Sequence, residues 1–249
     1  MLPIKVPDSF AIIAHRGASA YAPENTRAAI KIALDMGVRE VEVDAQLSTD
    51  GQVVLCHDWK LERYGHGPKV VEQMSSSELL SLDMGSWFSP YFYCGERMLT
   101  LEELFNTYQD RLTYHIELKG LAAGLPAAVA ELIKRHQLRD RCVITSFSLD
   151  FLMVFRELEA DLPLAWLVSK INNEVYERAS EARLSCVCPR ADLVTLPLVE
   201  RMHASALAVR AWGLGGSSAE VVRVVRNLVD SGCDGATIDW PDWLTYSSK

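Results

Sequence analysis

The sequence predicts a single (β/α)8 barrel, and three observations support this fold class. Short apolar runs alternate with amphipathic helical runs over most of the 249 residues, which is the pattern of parallel strands joined by right-handed helical crossovers. About eight such units in ~250 residues fit a closed barrel. No glycine-rich dinucleotide or phosphate-binding fingerprint follows a predicted strand, so a doubly wound open sheet is the weaker alternative.

The order of the elements follows from apolar periodicity and from capping residues. The first helix is capped by Asn25 or Thr26 and ends at Gly37. A later helix begins at Thr100, where Glu103 completes a capping box. The predicted strands cover residues 10–14, 41–46, 52–56, 113–119, 142–146, 164–168, 185–188, 206–212 and 235–238. The remaining predicted helices cover residues 126–136, 150–159, 172–182, 198–204 and 218–231.

The stretch from residue 59 to residue 98 interrupts this alternation. Glycines and prolines are spread through it, and neither helical nor strand periodicity persists. Long irregular connections are uncommon in compact domains unless they are functional. We therefore predict one domain over residues 1–249, with residues 59–98 forming an inserted subdomain or lid within the barrel.

Composition argues against several classes of protein. A net charge of -8 and a pI near 5.3 disfavour nucleic-acid binding and electrostatic membrane anchoring. No signal peptide is visible, and no apolar run approaches the ~18 residues of a membrane span. The six cysteines are scattered without the spacing of a zinc site. They are expected to be reduced, mostly buried thiols in a cytoplasmic protein.

The predicted strand at residues 41–46 carries the first indication of chemistry. Strand periodicity places Val41 and Val43 on one face and Glu42 and Asp44 on the other. Two neighbouring carboxylates repel each other unless a cation lies between them, and a divalent ion with oxygen ligands would serve. An ordinary strand with a solvated acidic face is the alternative reading of this stretch alone.

Further ionisable residues lie at predicted carboxyl ends of strands, which form the working face of a barrel. Three carboxylates there suit Mg²⁺ or Ca²⁺ better than zinc. A neighbouring arginine and lysine would attract a phosphate, and two histidines could act as general acid and general base on it. These residues are His15, Arg16, Glu42, Asp44, His57, Glu117 and Lys119.

Taken in order, these motifs resemble those of the glycerophosphodiester phosphodiesterase family, of the cytosolic bacterial type. The resemblance runs from about residue 10 to residue 241, with Phe147 and the closing Asp234-Gly235 also fitting. One departure is Trp212-Gly213-Leu214-Gly215, where family members often carry a Trp-Thr-Val-Asn-like run. The matching motifs are His15-Arg16-Gly17, Pro23-Glu24-Asn25-Thr26, Glu42-Val43-Asp44, His57-Asp58 and Glu117-Leu118-Lys119.

The resemblance implies metal-dependent hydrolysis of glycerophosphodiesters to sn-glycerol 3-phosphate and an alcohol. It implies a divalent metal ion, Mg²⁺ or Ca²⁺, as cofactor, and an inserted segment after Asp58 that shapes access for the glycerol end. The attack on phosphorus comes either from a substrate hydroxyl, through a cyclic phosphate, or directly from water. The implied catalytic residues are His15 and His57; the metal ligands are Glu42, Asp44 and Glu117; the substrate-binding residues are Arg16, Lys119, Phe147, Trp212 and Trp240.

The expected partner is a small glycerophosphodiester, with no nucleic acid and no stable membrane insertion, and the expected assembly is a monomer or homodimer. Two other functions stay open on the same barrel. A lysophospholipase D-type enzyme would need an apolar channel, which the aromatic residues near Trp87 and Phe92 could provide. A non-catalytic barrel that binds phosphate esters would be expected to lack one of the histidines or ligands, and none is missing.

Overall fold

The computed structural model describes residues 2–248, and within them eight parallel strands close into a barrel surrounded by helices. The strands are β1 (Ile4–Val6), β2 (Ala11–His15), β3 (Glu40–Leu47), β4 (Val53–Leu55), β5 (Thr113–Leu118), β6 (Cys142–Ser146), β7 (Leu164–Val168), β8 (Cys186–Pro189), β9 (Ala208–Ala211), β10 (Gly235–Ile238) and β11 (Leu244–Tyr246). The helices are α1 (Arg27–Asp35), α2 (Ser76–Leu80), α3 (Leu101–Tyr108), α4 (Leu125–Arg135), α5 (Leu149–Leu158), α6 (Asn173–Glu181), α7 (Leu196–Ala204) and α8 (Ser218–Asp230).

The barrel order is β2-β3-β5-β6-β7-β8-β9-β10, and β10 pairs with β2 to complete the ring. The predicted (β/α)8 barrel is therefore confirmed. The predicted strand at residues 52–56 has a different role, because β4 runs antiparallel to the end of β3, with Leu55 opposite Ala45. This hairpin turns the chain back toward the barrel mouth and delivers His57 there instead of adding a barrel strand.

Local sequence explains where the first helices begin. Of the two candidate caps for α1, Thr26 is the one used, since its side chain accepts a hydrogen bond from the Ala29 amide. The predicted capping box of α3 is present, with Thr100 and Glu103 exchanging hydrogen bonds. Both caps lie just after loops at the barrel mouth, so they also fix where those loops end.

The two faces of β3 have opposite environments. Val41, Val43 and Ala45 are fully buried in the apolar layer between strands and helices, where each large apolar side chain contributes roughly 1.5–3 kcal/mol. Glu42 and Asp44 lie on the opposite face and are also buried. The alternation predicted for this strand thus places charged side chains inside the barrel.

Residues 59–98 form a compact excursion beside the barrel mouth, containing α2 and a 3₁₀ turn at Val71–Gln73. They bury a separate small apolar cluster that includes Leu61, Val71 and Leu79 and continues to Val54 of β4. The excursion is therefore packed onto the β4 hairpin. None of the helices described in residues 2–248 is both long and apolar enough to cross a membrane.

Candidate active site

Three buried carboxylates meet at the carboxyl end of two neighbouring strands. Asp44 of β3 is in register with Glu117 of β5, and Glu42 lies two residues earlier on β3. All three are at least nine-tenths buried. One ligand oxygen from each lies within 4.8 Å of the others. The structure therefore brings the three predicted acids together.

Without a cation, repulsion between these buried carboxylates would destabilise their charged forms. Burial, together with the charges of Asp44 and Glu117, raises the pKa of Glu42 well above its usual range. Burial and the Asp44 charge raise the pKa of Glu117 to about 7, against the lowering effect of Lys119. Among the described residues, Glu42 Oε1 and Asp44 Oδ1 are buried without a hydrogen-bond partner. Such unsatisfied hard oxygens fit a divalent cation of the Mg²⁺ or Ca²⁺ class.

Two basic side chains lie against the same acids. Arg16 Nε is 3.0 Å from Asp44 Oδ2, and Lys119 Nζ is 3.0 Å from Glu117 Oε1 and 3.8 Å from Asp44 Oδ1. Burial opposes the charge of Arg16, but Asp44 and Glu24 outweigh it and raise the pKa of the guanidinium. Both cations line the cavity at the mouth, so they can meet an anion there.

Two histidines border this cavity, each with a carboxylate at its Nδ1 atom. His15 Nδ1 is 2.6 Å from Asp239 Oδ1, and His57 Nδ1 is 2.6 Å from Asp58 Oδ1. His15 Nε2 lies 4.0 Å from Glu42 Oε2. In each ring the carboxylate fixes the tautomer, so Nε2 is the nitrogen available for proton transfer. Burial lowers the pKa of His57 below its usual value, and the charge of Asp44 partly opposes this.

His57 is held by a chain of ion pairs that starts at the first loop. Arg16 Nη1 donates to Glu24 Oε2 at 2.9 Å, and Arg63 bridges Glu24 Oε1 at 2.5 Å and Asp58 Oδ2 at 2.8 Å. Burial alone would raise the pKa of Asp58, but hydrogen bonds from Arg63 and His57 lower it to about 2. These ion pairs thus link Arg16, at the acid cluster, to Asp58, which holds His57.

Asn25 has a role that the sequence did not reveal. It is not the helix cap; its Nδ2 donates to Asp44 Oδ2 at 2.8 Å, and its Oδ1 accepts from the Asp44 amide at 3.1 Å. The backbone of Asn25 has a φ of 57°, in the left-handed region that asparagine tolerates well. This conformation turns the amide group toward β3, where it orients the carboxylate of Asp44.

The cavity itself has a volume of about 340 Å³ and extends into the barrel interior. Phe147 and Trp212 form part of its wall and contact each other edge-to-face, with ring centroids 5.1 Å apart. Thr145, in register with Glu117, also lines it. Within the described residues, Thr145 Oγ1 is buried without a hydrogen-bond partner. A ligand hydroxyl could satisfy that atom.

Trp240, expected to bind substrate, lies outside the cavity, and His115 lies at its wall. Trp240 is not among the residues that line the cavity; its ring stacks on Trp243 with centroids 4.7 Å apart. His115 does line the cavity wall, but its Nε2 pairs with Glu40 Oε2 at 2.8 Å. This hydrogen bond makes His115 a satisfied barrel histidine.

Asp239 is the clearest omission from the sequence prediction. It immediately follows β10, at a strand carboxyl end where barrel enzymes place functional residues. That position was a usable signal, but its pairing with His15 spans 224 residues and depends on barrel closure. No local pattern could have supplied that contact.

Comparisons with known proteins agree with this geometry. The profile of the "Glycerophosphoryl diester phosphodiesterase family" matches residues 15–243. YhdW of Bacillus subtilis, a candidate glycerophosphodiester phosphodiesterase, is 32% identical over 244 residues, which covers 96% of this chain and 98% of that protein. A glycerophosphodiester phosphodiesterase of Caldanaerobacter subterraneus is 29% identical over 237 residues, covering 94% and 95% of the two chains.

A solved structure is similar over almost the same length. It is that of a phosphodiesterase from Oleispira antarctica in complex with the product sn-glycerol-3-phosphate. It superimposes with a TM-score of 0.84 at 28% identity, covering 92% of this chain and 93% of that one.

Proposed function

This chain belongs to the glycerophosphoryl diester phosphodiesterase family and is a glycerophosphodiester phosphodiesterase, and we propose that it releases sn-glycerol 3-phosphate and an alcohol at the barrel mouth. One observation carries this proposal: two cations, two carboxylate-paired histidines and two acids of the buried triad line one cavity. The sn-glycerol-3-phosphate bound as product in the Oleispira antarctica structure supports the assignment of that compound as a product here.

We assign Glu42, Asp44 and Glu117 as ligands of one divalent ion, Mg²⁺ or Ca²⁺. When bound, the ion supplies positive charge that polarises the phosphoryl oxygen and offsets the charge that develops in the transition state. The protein's part is to hold the three carboxylates within 4.8 Å of one another on rigid strands. Asn25 fixes the rotamer of Asp44 through two hydrogen bonds, which is the usual contribution of a residue behind a ligand.

Arg16 and Lys119 are assigned to the phosphate. Each has hydrogen-bond donors on a cationic group, and each lines the cavity beside the acid cluster. Their ion pairs with Asp44 and Glu117 keep both groups in place before substrate arrives. Preorganised donors of this kind stabilise developing phosphoryl charge without reorganising during the reaction.

His15 and His57 are assigned as the acid–base pair. One imidazole accepts the proton of the attacking hydroxyl or water as the new phosphorus–oxygen bond forms, and the other donates a proton to the alcohol oxygen as its bond to phosphorus breaks. Asp239 and Asp58 hold the rings through Nδ1. If the attacking oxygen is a substrate hydroxyl, water then opens the cyclic phosphate, so the net products are the same by either route.

We place the glycerol moiety in the cavity inside the barrel. Its volume of about 340 Å³ suits a small polyol, and the buried hydroxyl of Thr145 lacks a partner among the described residues. Phe147 and Trp212 offer an apolar wall to the carbon skeleton. A pocket of this type, mostly apolar with a few polar groups, is typical of small-ligand sites.

The lysophospholipase D alternative has less support from the inserted segment. Trp87, Phe88 and Tyr93 pack edge-to-face on one another inside it, and Tyr91 and Phe92 are exposed at its surface. None of these five aromatic residues lines the cavity at the mouth. These side chains therefore do not form a channel for an acyl chain at the cavity. We propose that residues 59–98 act as a subdomain that borders the site.

The deciding experiment compares turnover of glycerophosphocholine with turnover of lysophosphatidylcholine, with Mg²⁺ or Ca²⁺ added. We expect glycerophosphocholine to be hydrolysed, with sn-glycerol 3-phosphate as a product. Preferential release of choline from lysophosphatidylcholine would favour the alternative enzyme. Binding of glycerophosphocholine without any turnover, at every metal concentration tried, would favour a non-catalytic barrel.

A further inference from the structure

A second, larger cavity lies beside the first, between the inserted segment and the loop that follows β5. Its volume is about 640 Å³, and it is more open than the cavity inside the barrel. His57 and Lys119 line both cavities, so the two spaces meet at the proposed acid–base and phosphate groups. Below we call the second cavity the side groove; its walls include Trp59, Val70 and Leu121.

The side groove is built by contacts that join its two walls. Trp59 Nε1 donates to the Lys119 carbonyl at 3.2 Å. Glu72 Oε1 accepts from the amides of Leu121 and Ala122 at 3.0 and 3.1 Å. A Cβ at Gly120 would collide with that same carboxylate oxygen, so a larger residue there would displace Glu72 from the two amides. The groove therefore exists before any ligand binds.

Apolar atoms make up most of the wall surface of the side groove. Half of the Trp59 side chain is exposed, and Leu121 is 64% exposed. Exposed large apolar side chains that converge beside a reactive site often mark a ligand surface. A tryptophan face is also the aromatic surface that best attracts a quaternary ammonium group.

The charged groups of the side groove are mostly committed elsewhere. Arg63 is paired with Glu24 and Asp58, and Lys119 is paired with Glu117. Glu72 accepts backbone amides. The rim then retains one lysine and one glutamate of opposite sign, Lys60 and Glu62. Net charge therefore gives this groove little selectivity, and contact with apolar surface must provide it.

We infer that the side groove is the subsite for the leaving alcohol, and that Trp59 and Leu121 favour alcohols with methyl-rich surface, such as the trimethylammonium group of choline, over polyols. This inference rests on the proposed function. A phosphodiester held at Lys119 must place one ester arm on each side of phosphorus. The invariant glycerol arm fits the enclosed cavity with its buried hydroxyl, and the variable arm fits the open groove. This assignment reverses the expectation that the inserted segment borders the glycerol end.

The test measures kcat/KM for glycerophosphocholine and for glycerophosphoglycerol, whose leaving group is a polyol. The wild-type protein should prefer the choline substrate. Leu121→Ala removes apolar wall but keeps the backbone amide that Glu72 binds, and Trp59→Ala removes the indole. In each variant we expect the choline-to-glycerol ratio to fall about three- to tenfold, which is the scale of one lost apolar or cation–π contact.

Two further variants separate recognition from support. Trp59→Phe keeps an aromatic face and loses the hydrogen bond to the Lys119 carbonyl, so both rates should fall together while the ratio is retained. Leu158→Ala removes another exposed leucine, at the carboxyl end of α5 and 47% exposed, and it should leave both rates unchanged. Thermal unfolding of each variant checks the fold; if Trp59→Ala does not fold, Leu121→Ala decides alone.

Several results would overturn the inference. Active Leu121→Ala and Trp59→Ala proteins with an unchanged ratio would show that these walls do not contact the alcohol. Equal losses for glycerophosphoethanolamine and glycerophosphocholine would show that positive charge, not methyl surface, is recognised. A wild-type protein that hydrolyses none of the three substrates would instead refute the proposed function itself, so the two failures are distinguishable.

Discussion

The two histidines at the barrel mouth are each paired with an aspartate, but the two pairs arise from different parts of the fold. His15 ends a barrel strand, and its carboxylate partner Asp239 follows the neighbouring strand β10, 224 residues away. His57 follows the β4 hairpin, and its partner is the next residue, Asp58. Both imidazole–carboxylate distances are 2.6 Å, and about a third of each histidine side chain is exposed.

The supports behind the two pairs differ in strength. On the His15 side, β2 and β10 are joined by a continuous parallel ladder through Ile238 and Ala14. On the His57 side, Asp58 is fixed by Arg63, whose side chain is 37% exposed. Ion pairs between exposed groups contribute only about 0–1 kcal/mol, whereas backbone ladders form with the fold. The barrel side should therefore be rigid and the insertion side softer.

Metal removal should lower activity more than any substitution, because the His15 side and the His57 side of the mouth depend on the same three acids. Chelation with EDTA should lower kcat by about a thousandfold or more, since the charge that offsets the phosphoryl group is lost. Mg²⁺ or Ca²⁺ added back should restore the rate, and circular dichroism should show the fold unchanged. An undiminished rate, with metal shown absent by elemental analysis, would remove the acid triad from the mechanism.

The next largest effect should come from each histidine. His15→Ala and His57→Ala should each lower kcat by about 10²- to 10⁴-fold, the usual value of a positioned proton donor or acceptor. Because both side chains are partly exposed, unfolding free energy should change by roughly 1 kcal/mol or less. Steady-state rates and urea unfolding measure the two quantities.

These two variants also test whether the His15 side and the His57 side of the mouth contribute equally to catalysis. His136→Ala is a suitable control, because that histidine lies beyond α4 and near Glu102, away from the mouth. Near-normal turnover in either His15→Ala or His57→Ala would exclude that residue. Large but unequal deficits in the two variants would mean that the acid and base steps are unequal in cost.

The same comparison explains how much could be predicted from sequence. The β3 alternation placed Glu42 and Asp44 on one face, and the structure retains that arrangement. The proximity of His57 and Asp58 is also local, since adjacent residues after a strand share a loop. Asp239 and Asn25 were missed because their contacts with His15 and Asp44 depend on barrel closure and on a left-handed backbone conformation.

The antiparallel direction of β4 was missed for a related reason. A short apolar run has the same sequence pattern whether its strand adds to the barrel or runs antiparallel to the preceding strand. Only the turn after Ser48, where the Gly51 amide donates to the Ser48 carbonyl, decides its direction. The barrel itself was predictable because its signal is repeated around the ring, whereas the hairpin occurs once.

Substituting the two carboxylate partners should give intermediate effects and sharpen the comparison. Asp239→Asn and Asp58→Asn should each lower kcat by about 10- to 100-fold through loss of ring orientation. They should differ in pH dependence. The hydrogen bond from His57 to Asp58 raises the pKa of His57 against burial, and Asp58→Asn also leaves Arg63 without one anionic partner. The limb of the pH–rate profile that reports His57 should therefore move to lower pH.

Full pH–rate profiles of kcat/KM for both variants provide the measurement. Asp239→Asn, which leaves Arg63 and Asp58 intact, is the matched control for the shift attributed to His57. An Asp58→Asn profile displaced to higher pH, or one identical to wild type, would contradict the sign of the electrostatic argument.

The smallest effect concerns Glu24, which tests whether the insertion side is held by its ion-pair chain. Burial alone would raise the pKa of Glu24, but the hydrogen bond from Arg63 and the charges of Arg16 and Arg63 lower it to about 2. Because the folded pKa lies below the reference value of 4.5, this group stabilises the fold above pH ~4.5, and that stability is lost as pH falls toward 2. The shift corresponds to at most about 3 kcal/mol, and solvent screening at Arg63 reduces it to about 2 kcal/mol.

Urea unfolding from pH 7 to pH 2 should therefore separate wild type from Glu24→Gln. The variant should be about 2 kcal/mol less stable at pH 7, and the difference should shrink through the window from 4.5 to 2. Glu177→Gln, at an exposed position on α6, should follow the wild-type curve throughout. Coincident curves for wild type and Glu24→Gln would mean that the ion pairs from Arg16 to Asp58 add no stability. His57 would then be positioned by the β4 hairpin alone.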